Sequence, residues 1–239
     1  MEYGLQMYSV RDITPTDPDG ALKQVAEIGY KYVEFAGFFG HSAEDVKAML
    51  DKYGLICSGT HTGLADLKGD FDELIAYHKT IGNKNIIIPG APIATKADVD
   101  ALIDFVNEMQ PKLAKEGITL GFHNHHREFL PNEDGVITYD ELEKRTTINL
   151  QIDTYWAFVG GRDPIEMMER LKDRVKIIHI KDGSRDGKGK PLGLGEAPAD
   201  KVYKKAKELG MLMVVESETC DPDGMTEADI CFKFLKAQE

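Results

Sequence analysis

Cysteine is scarce in this chain: Cys57, Cys220 and Cys231 are the only three in 239 residues, with no CxxC spacing. Neither a disulfide framework nor a thiolate metal site is indicated. Positive charge is also short, with 29 Lys and Arg against 41 Asp and Glu and a formal net charge of -12. That balance disfavours a general affinity for nucleic acid or anionic membrane and leaves small molecules as the expected partners. No apolar run reaches the ~20 residues that a membrane-spanning helix requires, and the opening MEYGLQMYSV has neither a basic region nor a cleavable apolar one. A cytoplasmic protein is expected. Low-complexity tracts, linkers and shifts of composition are absent as well, which favours one domain over residues 1–239.

What is present is alternation. Eight short apolar or β-branched runs (YGLQMYSV, YKYVEFAG, LICSGTHTG, NIIIPG, ITLGFHNHHREF, INLQIDTYW, VKIIHIKDG and LMVVESE) are interleaved with amphipathic stretches, at the spacing of about thirty residues that a βα module takes. Helices are predicted near 18–28, 42–53, 71–81, 97–116, 139–145, 163–174, 199–209 and 226–236. Pro18 at one start, Gly29 past its end and Ser42 three residues before Asp45 are the expected terminal signals. Eight such units, with no strand polar or Pro-marked enough to be an edge, predict a closed (β/α)8 barrel over an open sheet. The missing Gly-rich fingerprint after the first strand weakens a dinucleotide-binding fold further.

Ile118 to Phe129 begins as a strand and ends in a concentration of imidazole and charge. In an extended chain Leu120, Phe122 and Asn124 take one face while Gly121, His123 and His125 take the other. Two histidines therefore share a face, one suited to ligate and one to move protons; surface or structural histidines are the plainer alternative. The same parity turns Asn149, Gln151 and Asp153 of the sixth strand, His179 and Lys181 of the seventh, and Glu216 and Glu218 of the eighth toward the barrel axis. Glu34 and His61 join them from the second and third strands. Barrel enzymes build their sites at this end. Burying so many carboxylates is costly unless a cation or a shared hydrogen-bond network neutralises them. A divalent ion would do so, and the mixed shell suits Mn, Co, Zn, Fe or Mg without choosing among them. Lys181 either polarises a substrate carbonyl or pairs a carboxylate. Glu34 and His61 contact substrate hydroxyls, support the ligands from behind, or are structural. The stretch Gly183 to Gly195 reads as a flexible, basic solvent loop, with a lid or phosphate clamp through Arg185, Lys188 or Lys190 as the alternative. GKGK lacks the spacing and the Ser/Thr of a P-loop.

In that order, GFHNHHREF, QIDTYW, GRDP, HIKDG and VVESE make the whole chain resemble the sugar phosphate isomerase/epimerase family of xylose-isomerase-like TIM barrels. That group also takes in AP endonucleases of the endonuclease IV type, inosose dehydratases and 3-dehydroshikimate dehydratases. The resemblance implies one divalent metal held by a Glu, Asp, His and Glu at the ends of strands five to eight. By position, Asp153, His179 and Glu216 match three of these. His123 stands where many relatives carry the strand-five Glu, so the paired-glutamate proton shuttle of the epimerases is not intact. His125 takes the place of a candidate base in dehydratase relatives, with Glu216 and Lys181 as further catalytic candidates. Glu128 is an alternative ligand, acid or substrate contact. Trp156, where dehydratases tend to carry a His, would stack against a sugar.

The implied function is a sugar or sugar-phosphate isomerase or epimerase working through a metal-stabilised enediolate. A metal-dependent dehydratase acting on a keto-sugar or keto-inositol is the alternative, slightly favoured by the single imidazole base. A non-catalytic sugar-binding barrel is the reading from another class, and a DNA repair endonuclease is opposed by the charge of -12. The expected partner is a small sugar or sugar derivative, with a homo-oligomer left open.

Overall fold

A computed structural model describes all 239 residues. In chain order the elements are β1 (Gly4–Gln6), α1 (Pro18–Ile28), β2 (Tyr32–Phe35), α2 (Ala43–Tyr53), β3 (Ile56–His61), α3 (Leu64–Leu67), α4 (Phe71–Thr80), β4 (Asn85–Ile88) and α5 (Lys96–Lys115). There follow β5 (Thr119–His123), α6 (Thr138–Arg145), β6 (Asn149–Gln151), α7 (Thr154–Val159), α8 (Pro164–Arg170), β7 (Ile177–Ile180), β8 (Asp182–Gly183), β9 (Gly189–Lys190), α9 (Ala199–Leu209), β10 (Leu212–Val215) and α10 (Gly224–Ala237). Local chemistry sets many of these limits. The Asp17 carboxylate accepts from the Gly20 amide and Pro18 opens α1, which stops at Gly29 because its φ of 119° suits a residue without Cβ. Ser42 caps α2 through the Asp45 amide, and Thr95 with Asp98 forms a reciprocal capping box on α5. No helix is long and apolar enough to cross a membrane.

Eight strands pair in parallel in the order β6-β5-β4-β3-β2-β1-β10-β7. The ends of this sheet meet, giving a nearly closed (β/α)8 barrel with helices between the strands. Between β6 and β7 there is no extended ladder. The Leu150 amide donates to the Arg174 carbonyl at 3.0 Å, the His179 amide to the Ile152 carbonyl at 2.9 Å, and Asp153 and His179 form a single parallel bridge. Outward-facing strand residues such as Leu5, Val33, Phe122, Ile152, Ile178 and Val215 are wholly buried under the helices. At about 1.5–3 kcal/mol each, burial of such side chains drives the layer together. The inward faces are different, because polar groups collect there toward the carboxyl ends.

Three segments depart from the sequence-based expectation. INLQIDTYW is strand only to Gln151, since the Asp153 carboxylate accepts from the Trp156 amide at 2.8 Å and starts α7 at once. The helix expected to reach Arg174 ends at Arg170. The loop 183–195 is built rather than free: β8 and β9 form a hairpin, and the buried Asp182 carboxylate accepts from the amides of Gly183, Gly193, Gly195 and Ala197 at 2.8, 2.9, 3.0 and 3.0 Å. Its cations do not converge on a clamp. Arg185 lies over the Phe158 ring, and Lys188 pairs with Asp186 at 2.7 Å.

Candidate metal centre and active site

Four side chains from the carboxyl ends of neighbouring strands converge: His123 closing β5, Asp153 after β6, His179 in β7 and Glu216 after β10. Each is buried, and their ligand-type atoms all lie within 4.8 Å of one another. The barrel brings them together because adjacent parallel strands place residues of the same parity side by side around the axis. β10 and β7 pair Val214 with His179, so Glu216 emerges two residues beyond, next to His179 and on the same side. A second grouping, His61, His123 and His179, shares two of these rings, and the His61 and His179 planes are stacked with centroids 5.2 Å apart.

Burial, opposed by neighbouring charge, sets the protonation of the group. Burial and the adjacent His179 and His61 hold His123 well below the usual histidine range, so it is neutral. Burial disfavours a charged His179, but Glu34 and Glu216 at its two nitrogens outweigh this and raise it to about 10. Burial would raise Glu216, yet Lys181 and His179 keep it ionised, well below the ordinary carboxylate value. Asp153 goes the other way. Desolvation lifts it to about 7 even with Lys181 opposing. Lys181 is almost fully buried, its Nζ 2.5 Å from Glu218, 3.3 Å from Glu216 and 4.0 Å from Asp153, and it lies 4.8 Å from the centre of the Trp156 ring. Those carboxylates raise it above the usual lysine value against its own desolvation.

The hydrogen-bond inventory shows what the group lacks. Asp153 Oδ2 and His123 Nδ1 are buried and have no partner, and His179 Nδ1 makes no hydrogen bond and meets only the Glu216 carboxylate, at 3.4 Å. The chain thus leaves a carboxylate oxygen and an imidazole nitrogen unsatisfied, and a second imidazole nitrogen loosely paired, in one small space, which is expensive unless something fills it. Three buried carboxylates, Glu34, Asp153 and Glu216, face two buried cationic side chains, Lys181 and the protonated His179. A divalent cation would take the place of the His179 Nδ1 proton, supplying positive charge and accepting N and O donors.

A family model described as the xylose isomerase-like TIM barrel matches residues 22–237. The chain belongs to that family. Among xylose isomerase-like relatives, an inosose dehydratase from Geobacillus kaustophilus is 24% identical over 194 residues, 70% of this chain and 63% of that protein. The chain therefore spans less than two thirds of that dehydratase. A 2-oxo-tetronate isomerase from Haemophilus influenzae is 26% identical over 218 residues, 79% of this chain and 82% of that protein. A solved sugar phosphate isomerase/epimerase from Parabacteroides distasonis superposes with a TM-score of 0.84 at 25% identity, covering 99% of this chain and 93% of that one.

Around the four-residue group lie other residues singled out from sequence. His125 is half-buried with its Nδ1 unpartnered, its ring 5.0 Å from that of His123. Trp156 stands on α7 instead of the strand, 6.0 Å from His125 and 5.2 Å from His126, with its indole N–H also unpartnered. His61 Nε2 donates to the Gln151 carbonyl oxygen at 2.9 Å. Glu34 and Glu128, read from the sequence as substrate contacts among other roles, both have carboxylates engaged by the protein itself. Glu34 is fully buried, with both carboxylate oxygens taken by Gln6, Gln151, His61 and His179. Glu128 is also fully buried and turned back to accept from the His125 amide at 2.9 Å and from Arg127 Nε at 3.0 Å, so it braces the 125–128 turn. Gln6 was not singled out from sequence, since an isolated Gln carries no site signal; its amide reaches Glu34 across 28 residues at 2.7 Å.

Proposed function

We propose that the chain is a divalent-metal-dependent enzyme that moves a proton alpha to the carbonyl of a sugar or sugar derivative, as an isomerase or epimerase. The observation that carries this reading is the convergence of Asp153 Oδ2 and His123 Nδ1, both without a partner, with His179 Nδ1 and Glu216, buried beside the imidazole of His125. His123, Asp153, His179 and Glu216 are the residues that would hold the ion. When bound, it would supply positive charge where the carbonyl oxygen becomes negative. His125, kept neutral by burial, is suited to take the proton from carbon, leaving the electron pair to flow onto the carbonyl oxygen as an enediolate. Return of the proton to the former carbonyl carbon, with the neighbouring hydroxyl passing its proton to the first oxygen, gives the isomer; return to the original carbon from the opposite face gives the epimer. Lys181 balances the carboxylates, and Trp156 offers an aromatic face and an indole donor to substrate hydroxyls.

A second reading, a lyase that expels a β-hydroxyl from the same intermediate, is favoured by one feature. Glu216 is engaged by Lys181 and lies 3.4 Å from His179, and β5 contributes imidazoles where a second carboxylate would be needed for two-faced proton transfer. The inosose dehydratase relative supports this branch and the 2-oxo-tetronate isomerase relative supports the first. Metal content of the purified protein, with His123→Ala and Glu216→Ala alongside, tests the centre. Incubating a panel of keto-sugars and keto-inositols in deuterated water then separates the outcomes: deuterium in an isomerised product supports the isomerase, and loss of water supports the lyase. A metal-free protein that exchanges no substrate proton would sink both.

A further inference from the structure

Glu34 is a buried carboxylate that accepts three side-chain hydrogen bonds, and nothing in the proton-transfer scheme uses it. It is fully buried under the four-residue group. Its Oε1 accepts from Gln6 Nε2 at 2.7 Å and from His179 Nε2 at 2.6 Å and lies 3.1 Å from His61 Nε2, while its Oε2 accepts from Gln151 Nε2 at 2.6 Å. A carboxylate has roughly four lone-pair sites; three accept hydrogen bonds here, and the side chain is wholly buried, which turns it away from substrate. The donors are themselves oriented: the Gln6 carbonyl oxygen accepts from the Tyr8 amide at 3.1 Å, and the Gln151 carbonyl oxygen accepts from His61. The backbone makes room for the arrangement. The β2–β3 register shifts at Val33/Glu34, and Gly59 lies where a Cβ would come within 3.1 Å of Glu34 Oε2 and 2.9 Å of Ile87 Cδ1.

We propose that Glu34 is a positioning residue that fixes the His179 ring: it accepts the Nε2 proton and so turns Nδ1, which lies 3.4 Å from Glu216, toward Asp153, His123 and Glu216. A carboxylate behind an imidazole orients the ring and increases its donor strength toward whatever the other nitrogen meets. A buried charge kept only for stability would be a poor investment, because well-packed apolar side chains of similar volume often do as well. Its place opposite Nδ1 gives it a directional role. The inference rests on reading His179 as a ligand, but its spectroscopic test does not.

In 15N-labelled protein, proton–nitrogen correlations of the His179 ring, assigned by their loss in His179→Asn, are expected to show a hydrogen-bonded proton on Nε2, well downfield of the amides. That resonance should move upfield or vanish in Glu34→Gln. An Nε2 without a proton, or a resonance indifferent to the substitution, would overturn the proposal, and the wild-type spectrum alone decides the first point if the variant fails to fold. In parallel, Mn2+ is titrated calorimetrically into metal-stripped wild type and Glu34→Gln. The Kd is expected to rise about 10- to 100-fold in the variant; an unchanged Kd would overturn the proposal. Failure of wild type to bind Mn2+ or Zn2+ would instead sink the metal reading, and the Nε2 proton would then decide the role of Glu34 by itself.

Discussion

The two sides of the barrel mouth are built from similar side chains and treat them oppositely. On the β1–β3 side, Gln6, Glu34 and His61, together with Gln151 from across the axis, form a network in which the carboxylate accepts three hydrogen bonds, the third from His179. On the β5–β7 side, His123, His125, Asp153 and His179 each carry a buried polar atom with no hydrogen-bond partner. Both groups are largely buried, so burial does not separate the side chains that could meet a ligand from those that hold them in place. Satisfaction does so at this mouth. A folded chain leaves buried donors and acceptors empty only at a cost, and among these two groups the cost falls on the β5–β7 side.

The largest effect that would sharpen this contrast is expected from Asp153→Asn. The amide can still cap α7 through its oxygen, but it removes the charge and should abolish stoichiometric metal, read by plasma mass spectrometry. The same variant has a signed consequence in metal-free protein. Asp153 has a folded-state value of about 7 against an ordinary 3.8, so its contribution is full below 3.8 and is lost as pH rises through 7. At pH 8 the asparagine variant should therefore be the more stable, by a few kcal/mol, about 4 at most; an unchanged or lower midpoint in urea would contradict this. Next in size, His125→Gln should slow solvent-proton exchange into substrate about 10²- to 10⁴-fold while leaving metal content intact. Loss of metal together with exchange would place His125 among the ligands instead.

His78 is a satisfied histidine away from the mouth, its Nδ1 bonded to Asn83 at 3.1 Å, and burial lowers it to about 4. A depressed histidine contributes stability above its unfolded value of 6.5 that is lost as pH falls through 4. Stability should drop by about 3 kcal/mol over that window, and His78→Gln should flatten the drop in a urea midpoint-versus-pH series. The smallest effect should come from Gln6→Leu. Leaving one Glu34 lone pair unsatisfied costs about 1–3 kcal/mol, with metal stoichiometry unchanged. Metal loss in this variant would mean that the β1–β3 side is as functional as the β5–β7 side.

Much of this was legible in the chain. The βα alternation, the Pro18, Gly29 and Ser42 signals and strand parity give the barrel and put Glu34, His61, His123, Asp153, His179 and Glu216 at one end of it. What parity does not encode is which lone pairs are already taken. The choice among the roles left open for Glu34 was not legible because its partners Gln6 and Gln151 lie 28 and 117 residues away and join it only on closure. α7 was missed because INLQIDTYW is apolar enough for a strand throughout, and only the turn of Asp153 onto the Trp156 amide converts its end. The 183–195 loop reads as free from its Gly and Lys content, whereas its order comes from one carboxylate, Asp182, gathering amides from both ends of the segment.

Viewed as a hoop, the barrel has seven ladders and one clasp, and the clasp is made of Asp153 and His179. Whatever draws those two side chains together also shuts the ring, and whatever loosens the ring spreads them. A cation held by those two side chains would therefore be linked to completion of the hoop. The amides of Leu150 and His179, which bridge the clasp, would report both at once through the rate at which they trade hydrogen for deuterium.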